Sequence, residues 1–409
     1  METKLLRELC VEIVDCPHST PSWTSAGKIV IRNFNIQNGK IDFSNPSFTD
    51  QEHYLHRIKR AKPEGGDLVI TREAPMGQVG MIPSNVECCL GQRMVLLKVD
   101  RTVCNPYYLL YALQSPAVQF QIKCNEGTGT TVSNLRIPIL EHLEIPFVNK
   151  ENQDRIAAFL KLIDDKIEVN NKIIKSLEEF SIALVKNSLK ESINNGLSLS
   201  LSDYALLNPT RTIKKGKISR YIGMSSLSNS VSFPLDWEFK EFSGGAKFQN
   251  GDTLFARITP CLENGKTAFV GFLKEDEVAF GSTEYIVICS KGVLPNEFFY
   301  CLARTPDFRD FAAKRFNGTS GRQRISHNEI APYPLPFFST EKIENFNNVL
   351  PPIFKQINNL GLQNRRLNAL RNIILPKLIS GEIELKKPSF ICIAGTDRDQ
   401  RVSSSYFLH

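Results

Sequence analysis

A long internal repeat constrains this chain more than any other feature. Gly66-Asp67-Leu68 opens the run GDLVITREAPMGQVG, and Gly251-Asp252-Thr253 opens GDTLFARITPCLENGKTAFVG 185 residues later. Gly127 begins GTGTTVSNLRIPILEHLEIP, and Gly318 begins GTSGRQRISHNEIAPYPLP 191 residues later. The offset drifts by six residues, as two copies of one fold do when they differ by short loop changes. Solenoid units recur every ~20–50 residues, so a period this long means a duplicated domain. The 409-residue length agrees, because it exceeds one ordinary core.

Each half ends in a helical stretch. Residues 151–193 contain neither Gly nor Pro and carry a heptad pattern. One seam position holds Ile156, Ile163, Asn170, Leu177 and Leu184; the other holds Leu160, Ile167, Ile174, Ser181 and Ser188. Asn149 or Asn152 suits the N-cap, and Asn194-Asn195-Gly196 suits a stop. At ~1.5 Å per residue the helix is roughly 60 Å long, more than one compact domain needs. The second stretch follows residue 340, with Ile343, Leu350, Ile357, Asn364, Arg371 and Leu378 along one seam position. Phe346, Ile353, Leu360, Leu367 and Ile374 fill the other. Pro351-Pro352 should break this helix, since proline lacks the amide donor and clashes with the preceding turn. The expectation is a short helix, then a longer one from about Pro352 to about Ser380, ended by Gly381. Asn170 and Asn364 share the seam, 194 residues apart. A buried polar pair there fixes register at a cost in stability; the ordinary alternative is that the seam drifts and both are exposed. The helices most simply pack as an antiparallel coiled coil with a globular domain at each end.

The globular segments read as α+β. Strand-like runs include Asp67–Thr71, Arg93–Lys98 and Glu284–Ile288, and helical stretches run from Pro106 to Gln121 and from Pro295 to Lys314. The segments are 1–148 (first globular domain), 149–196 (central helix), 197–338 (second globular domain), 339–385 (C-terminal helical region) and a tail, 386–409.

Composition and motifs exclude more than they assign. No run of eighteen apolar residues exists to span a bilayer, and the N-terminus leads into no apolar signal core. Ten scattered cysteines form no Cys-x-x-Cys pair, so they read as small buried hydrophobes of a reducing cytoplasm, and no metal site is expected. Pro260–Thr267 imitates a phosphate-binding loop, but proline stands where the cradle needs glycine. Glu238-Phe239-Lys240 has the end of a nuclease motif without an upstream metal-binding aspartate. No coherent catalytic constellation remains.

Polar loop chemistry does recur in both halves. Arg72 and Gln78 follow the first Gly-Asp strand, and Arg257 and Lys266 follow the second. Arginine suits a guanine edge and glutamine an adenine edge. Thr128, Thr130, Arg322 and Arg324 sit in later loops and suit phosphate oxygens. Arg57, Lys59 and Arg60 form a basic cluster in one half, and Lys217 and Arg220 belong to one in the other. The ordinary reading of any one of them is a solvated surface charge; repetition argues for the set. The net charge of +7 is uneven: residues 1–148 carry 15 basic and 15 acidic groups, and residues 197–338 carry 17 and 14. If DNA binds, each domain must gather its cations on one face, or another subunit must supply phosphate contacts.

These features together resemble the DNA-specificity subunit of Type I restriction-modification systems. The likeness rests on Cys16-Pro-His18-Ser-Thr-Pro21, the paired Gly-Asp strand–loop runs, Ile145-Pro146 followed by Glu151-Asn-Gln153-Asp-Arg-Ile156-Ala157, and Leu375-Pro-Lys-Leu-Ile-Ser-Gly381-Glu-Ile383. The second half departs from it, with Thr340-Glu-Lys-Ile-Glu in place of the Glu-Asn-Gln run, and residues 386–409 extend past the family's usual end. The resemblance implies two target-recognition domains, each reading one part of a bipartite site in double-stranded DNA. It implies two long helices that set the spacing between them. It also implies methyltransferase and restriction-translocase partners, which would use S-adenosylmethionine, ATP and Mg²⁺, with no cofactor and no catalysis on this chain. A coiled-coil scaffold and a self-contained nuclease or methylase are the competing readings.

Overall fold

The computed structural model describes residues 2–124, 134–192, 198–318 and 323–385. Thr128, Thr130, Arg322 and the 386–409 tail, expected as a loose extension, lie outside them. The chain divides into two compact units. Unit 1 joins residues 1–165 to residues 368–409, and unit 2 is Lys166–Leu367. The division passes through both long helices, so each unit keeps part of each helix rather than a globular segment alone.

Unit 1 centres on four strands, β1 (Cys10–Asp15), β2 (Leu68–Thr71), β3 (Val79–Met81) and β4 (Met94–Val99), in the antiparallel order β1-β4-β2-β3. Leu68, Val69 and Ile70 are all buried, because β2 is covered on both faces and so reads as a continuous apolar run. Unit 2 repeats the design with β5 (Ala205–Leu207), β6 (Thr253–Ala256), β7 (Thr267–Phe269) and β8 (Tyr285–Ser290), in the order β5-β8-β6-β7.

The smaller sheets repeat as well. Lys28–Ile31 runs parallel to Cys88–Leu90 in unit 1, and Ile218–Ile222 runs parallel to Ala279–Gly281 in unit 2. Glu2–Leu5 pairs with Glu144–Phe147, and Ser198–Ser200 with Pro334–Pro336. The duplication read from the sequence is thus present in the central sheet, the parallel pair and the terminal pair, while the mixed sheet has three strands in unit 1 and four in unit 2.

Two helix expectations need correction at shared positions. The stretch from Pro106 is two helices, Pro106–Gln114 and Pro116–Cys124; that from Pro295 is Asn296–Arg304 and Pro306–Ala313. Pro116 and Pro306 each force the preceding residue out of the helical region. Ser115 and Thr305 have ψ of 147° and 142°, and their hydroxyls donate to the Ala112 and Leu302 carbonyls at 2.6 and 2.7 Å.

The central helix spans Lys150–Ser192, and the Asn149 side chain caps it by accepting from the Asn152 amide at 2.9 Å. The C-terminal helix is Thr340–Ile379, unbroken by Pro351-Pro352. The expected break fails for two reasons. Phe346, Leu350, Phe354 and Ile357 are fully buried across the proline pair, and that burial outweighs a penalty of about 3 kcal/mol per proline. Asn347 and Asn348 precede the prolines by four residues and are exposed, so solvent can reach the carbonyls that lose their donors. The helix stops where expected, with Gly381 at φ 72° donating to the Leu378 carbonyl.

Within each unit the two helices run antiparallel. In unit 1 Arg155 reaches the Leu385 carbonyl, and Arg371 pairs with Asp164 at 2.7 Å. In unit 2 Asn170 lies beside Asn364 and Lys342 beside Glu191. The heptad stripe is the buried one, except that Leu177 and Leu184 on the central helix and Ile343, Ile353, Leu367 and Arg371 on the C-terminal helix are half-buried. Asn170 and Asn364 do not drift outward: both are buried, joined by a 2.8 Å bond, and Asn364 also donates to Asn171 at 2.8 Å.

Candidate nucleic-acid interface

The backbone places the two Gly-Asp loops identically. The Arg72 amide donates to the Arg93 carbonyl, and its own carbonyl accepts from Leu135. Arg257 does the same with Glu284 and Ile325. Each loop then turns through a cis proline, at Ala74-Pro75 and Thr259-Pro260. Gly77 (φ 78°) and Gly265 (φ 73°) follow, close against Ile122 and Arg309, where a side chain would be both strained and crowded.

The side chains at these matching positions differ. Arg72 is almost enclosed: one guanidinium nitrogen contacts both Asp15 oxygens at 2.8 and 2.9 Å, and Nε donates to the Leu135 carbonyl at 2.9 Å. Its fork is committed inside unit 1. Arg257 is 30% exposed, its Nε makes no hydrogen bond, and Glu284 stands 3.5 Å away. Strand β1 ends in Asp15, whereas β5 runs into Asn208-Pro209-Thr210, which brings no carboxylate. Arg257 therefore lines a cleft of about 370 Å³ with Asn208, Thr210, Arg211 and Lys247.

The remaining sequence candidates separate in the same way. Arg57 is buried and is a structural clamp, a correction to its reading as a surface contact. Its three nitrogens donate to the carbonyls of Leu90, Ser19 and Pro17 at 2.7, 2.9 and 3.1 Å, because charge in an interior must be hydrogen-bonded. Arg220 pairs with Glu277 at 2.8 Å, between Trp237 and Phe239, and Arg324 pairs with Glu284 at 2.9 Å. Lys266 donates to the Met224 carbonyl at 3.1 Å. Lys59 and Lys217 are exposed, and Arg60 is exposed with a long contact to the Asp15 carbonyl. Gln78 lines a hollow of about 330 Å³ with Asn38, Gly39 and Gln119.

Catalytic residue types meet in one row on the surface of unit 1, where Ser22 Oγ lies 3.1 Å from His53 Nε2 and His53 Nδ1 lies 2.8 Å from Asp50 Oδ2, the N-cap of the helix Gln51–Arg57. Among the described residues no group of three or more His, Cys, Asp or Glu could hold a metal ion. Burial pushes the Cys10, Cys88 and Cys104 thiols up to about 12, which suppresses the nucleophilic thiolate. Five cysteines are buried as expected, but Cys124 is exposed and Cys10, Cys261 and Cys289 are half-buried. The phosphate-loop imitation at 260–267 leads into strand β7 rather than a helix, so it offers no helix N-terminus to an anion. Among the described residues, no helix is long and apolar enough to cross a membrane.

One group lies outside the repeat. Trp23 and Phe34 are large exposed aromatics, and the Arg32 guanidinium lies 4.8 and 4.6 Å from their ring centroids. The visible signal was an arginine between aromatics, but the second half has Gly223 in that place.

Residues 24–179 match the family described as the Type I restriction modification DNA specificity domain. The chain is thus similar, in that segment and along most of its length, to specificity subunits of Type I restriction-modification systems. It is 24% identical, over 79% of its length, to the Type I restriction enzyme MjaIX specificity subunit of Methanocaldococcus jannaschii, covering 78% of that protein. It is 18% identical to the HindI specificity subunit of Haemophilus influenzae over 71% of this chain and 80% of that one. The crystal structure of a Type I restriction-modification S subunit from M. genitalium shares the fold, with a TM-score of 0.58 at 16% identity over 92% of this chain and 95% of that one. Specificity subunits of this family thus supply a frame for the duplicated units described above, and the matched segment covers the first unit's Gly-Asp loop and most of the central helix.

Proposed function

We infer that this chain is the DNA-binding specificity subunit of a Type I restriction-modification complex, with each unit reading one part of a bipartite site in double-stranded DNA. The observation that carries the reading is the duplicated scaffold with unlike side chains on its matching loops. Two readers of different half-sites need one geometry and two chemistries. The chain itself is non-catalytic in this reading and acts in the cytoplasm. Methyltransferase subunits would bring S-adenosylmethionine, and restriction-translocase subunits ATP and Mg²⁺. Val169, Ile173 and Phe180 support a protein partner: they are exposed apolar residues at heptad spacing on the central helix, outside its buried seam.

The deciding experiment maps methylated adenines in DNA modified by the chain reconstituted with its methyltransferase. A two-part motif with a fixed spacer is expected. Methylation without sequence preference would defeat the reading. Methylation or cleavage by the purified chain alone would favour the self-contained enzyme instead.

A further inference from the structure

Arg32 stands apart from the other arginines of unit 1. Arg57 is spent on backbone carbonyls, Arg72 on Asp15, and Arg93 on Glu73. The Arg32 guanidinium has no carboxylate or carbonyl partner among the described residues. Its contacts are two aromatic faces, Trp23 and Phe34, which are 46% and 55% exposed. Stacking of this kind holds the planar group still while its N–H edge keeps its donors.

The backbone places this group beside the Gly-Asp loop. Arg32 directly follows the strand Lys28–Ile31, and its amide donates to Asn35 Oδ1 at 2.9 Å. Asn33 reaches the Ala74 carbonyl of the loop at 2.6 Å. In unit 2 the corresponding turn, Met224–Ser226, is tied to its loop by Lys266. There the parallel register sets Ile222 opposite Gly281 as it sets Ile31 opposite Leu90, so Gly223 takes the place of Arg32 and Ser225 that of Phe34. Unit 2 has a hollow of about 650 Å³ at this turn, lined in part by Gly223, Met224 and Ser225. One unit projects a clamped arginine where the other recedes.

We propose that Arg32, clamped between Trp23 and Phe34, is the base-reading arginine of unit 1 and contacts a guanine edge in its half-site. This rests on the specificity-subunit reading. A free planar fork matches guanine O6 and N7 with two hydrogen bonds, and prior stacking lowers the entropy lost on binding. Arg72, by contrast, positions the loop from inside.

The test compares the full chain with Arg32→Lys, Arg32→Ala and a Trp23→Leu, Phe34→Leu double variant. Each is co-expressed with the methyltransferase, and the methylated adenines of the host genome are mapped. Lysine keeps the charge but loses the fork. All three variants should relax one guanine position in one half of the motif, by roughly 5- to 150-fold in preference, and leave the other half intact. Thermal melts matching the wild type exclude misfolding. If Arg32→Lys keeps the full motif while Arg32→Ala lowers methylation evenly, Arg32 grips phosphate and the proposal is overturned. An unchanged motif in every variant overturns it too. A wild-type chain with no two-part motif overturns the specificity reading itself, and this proposal with it.

Discussion

The two units share the central four-stranded sheet and the terminal strand pair, and differ in what they do with their charges. Unit 1 neutralises its loop arginine: Arg72 is held by Asp15 and Leu135. Unit 2 leaves its counterpart half-free: Arg257 shares Glu284 with Arg324 and faces a cleft with Lys247. The cores differ too. The helix Asn296–Arg304 packs Phe298 against Phe338 and Phe346 at 5.5 and 5.2 Å, where Pro106–Gln114 buries Leu109, Leu110 and Leu113. The backbone plan has stayed fixed while interior and loop chemistry diverged, as expected if the plan sets geometry and the loops set specificity.

A shared plan predicts equal sensitivity at the seam. Ile163 in unit 1 and Ile167 in unit 2 are both buried on the central helix. Ile163→Asp and Ile167→Asp should each cost about 4 kcal/mol, from lost apolar burial and a desolvated carboxylate. Denaturant melts of each variant check this. If one substitution is tolerated, the two halves of the seam are not equivalent.

Divergent loops predict the opposite. Arg72→Ala strands the partly buried Asp15 carboxylate and the Leu135 carbonyl, so unit 1 should lose about 2–3 kcal/mol of stability. Arg257→Ala removes a side chain whose Nε has no hydrogen bond, so stability should change by less than about 1 kcal/mol. Its effect should appear in the methylated motif instead, as relaxed preference confined to one half. Thermal melts read beside motif mapping separate the two outcomes. Equal motif loss at both half-sites from either change would contradict the two-reader arrangement.

The repeat, the α+β class and the central helix were legible because each rests on local pattern: matched runs, strand-length apolar stretches, and 43 helical residues from Lys150 to Ser192 without Gly or Pro. The breaks at Pro116 and Pro306 were equally visible in the sequence. The continuity through Pro351-Pro352 was not, because it depends on a tertiary face that overrides a local penalty. Charge type alone could not separate Arg57 from Lys59, since the carbonyls that hold Arg57 come from segments about 33 to 40 residues away. Arg32 has no counterpart in the repeat, and a residue that distinguishes two readers need not recur.

The carboxylates on the central helix extend the contrast to pH. Asp164 in unit 1 faces Arg371 and Tyr111, at 2.7 and 2.9 Å. Glu178 in unit 2 is buried with neutral donors, the Ser232 amide and hydroxyl at 2.5 Å and the Tyr300 hydroxyl at 3.2 Å. Burial raises the Glu178 carboxyl above its ordinary value of 4.5, and the hydrogen bonds from Ser232 and the charge of Arg304 oppose this without cancelling it. The folded state therefore holds this proton more tightly than the unfolded chain. The stabilisation is fully present below pH 4.5 and is lost as pH rises through the folded value. Glu178→Gln should remove that slope from the melting of unit 2 between acid and neutral pH, and raise its stability at neutral pH. An unchanged slope would mean Glu178 does not titrate in this way.

A similarly small stability effect is expected at Asn170 and Asn364. Their amides bond to each other, to Gln363 and to Asn171, yet Asn170 Oδ1 is buried without a partner. An unpaired buried oxygen costs stability, so the pair's retention argues for another use, and a fixed register between the helices is the use that a seam position offers. Replacing both with Leu should therefore leave the melting temperature unchanged or slightly higher, by about 1 kcal/mol at most. The informative readout is the spacer between the two parts of the methylated motif. It should be single in the wild type and mixed in the double variant if the pair holds the register. A single spacer in both would leave the asparagines with no role in spacing.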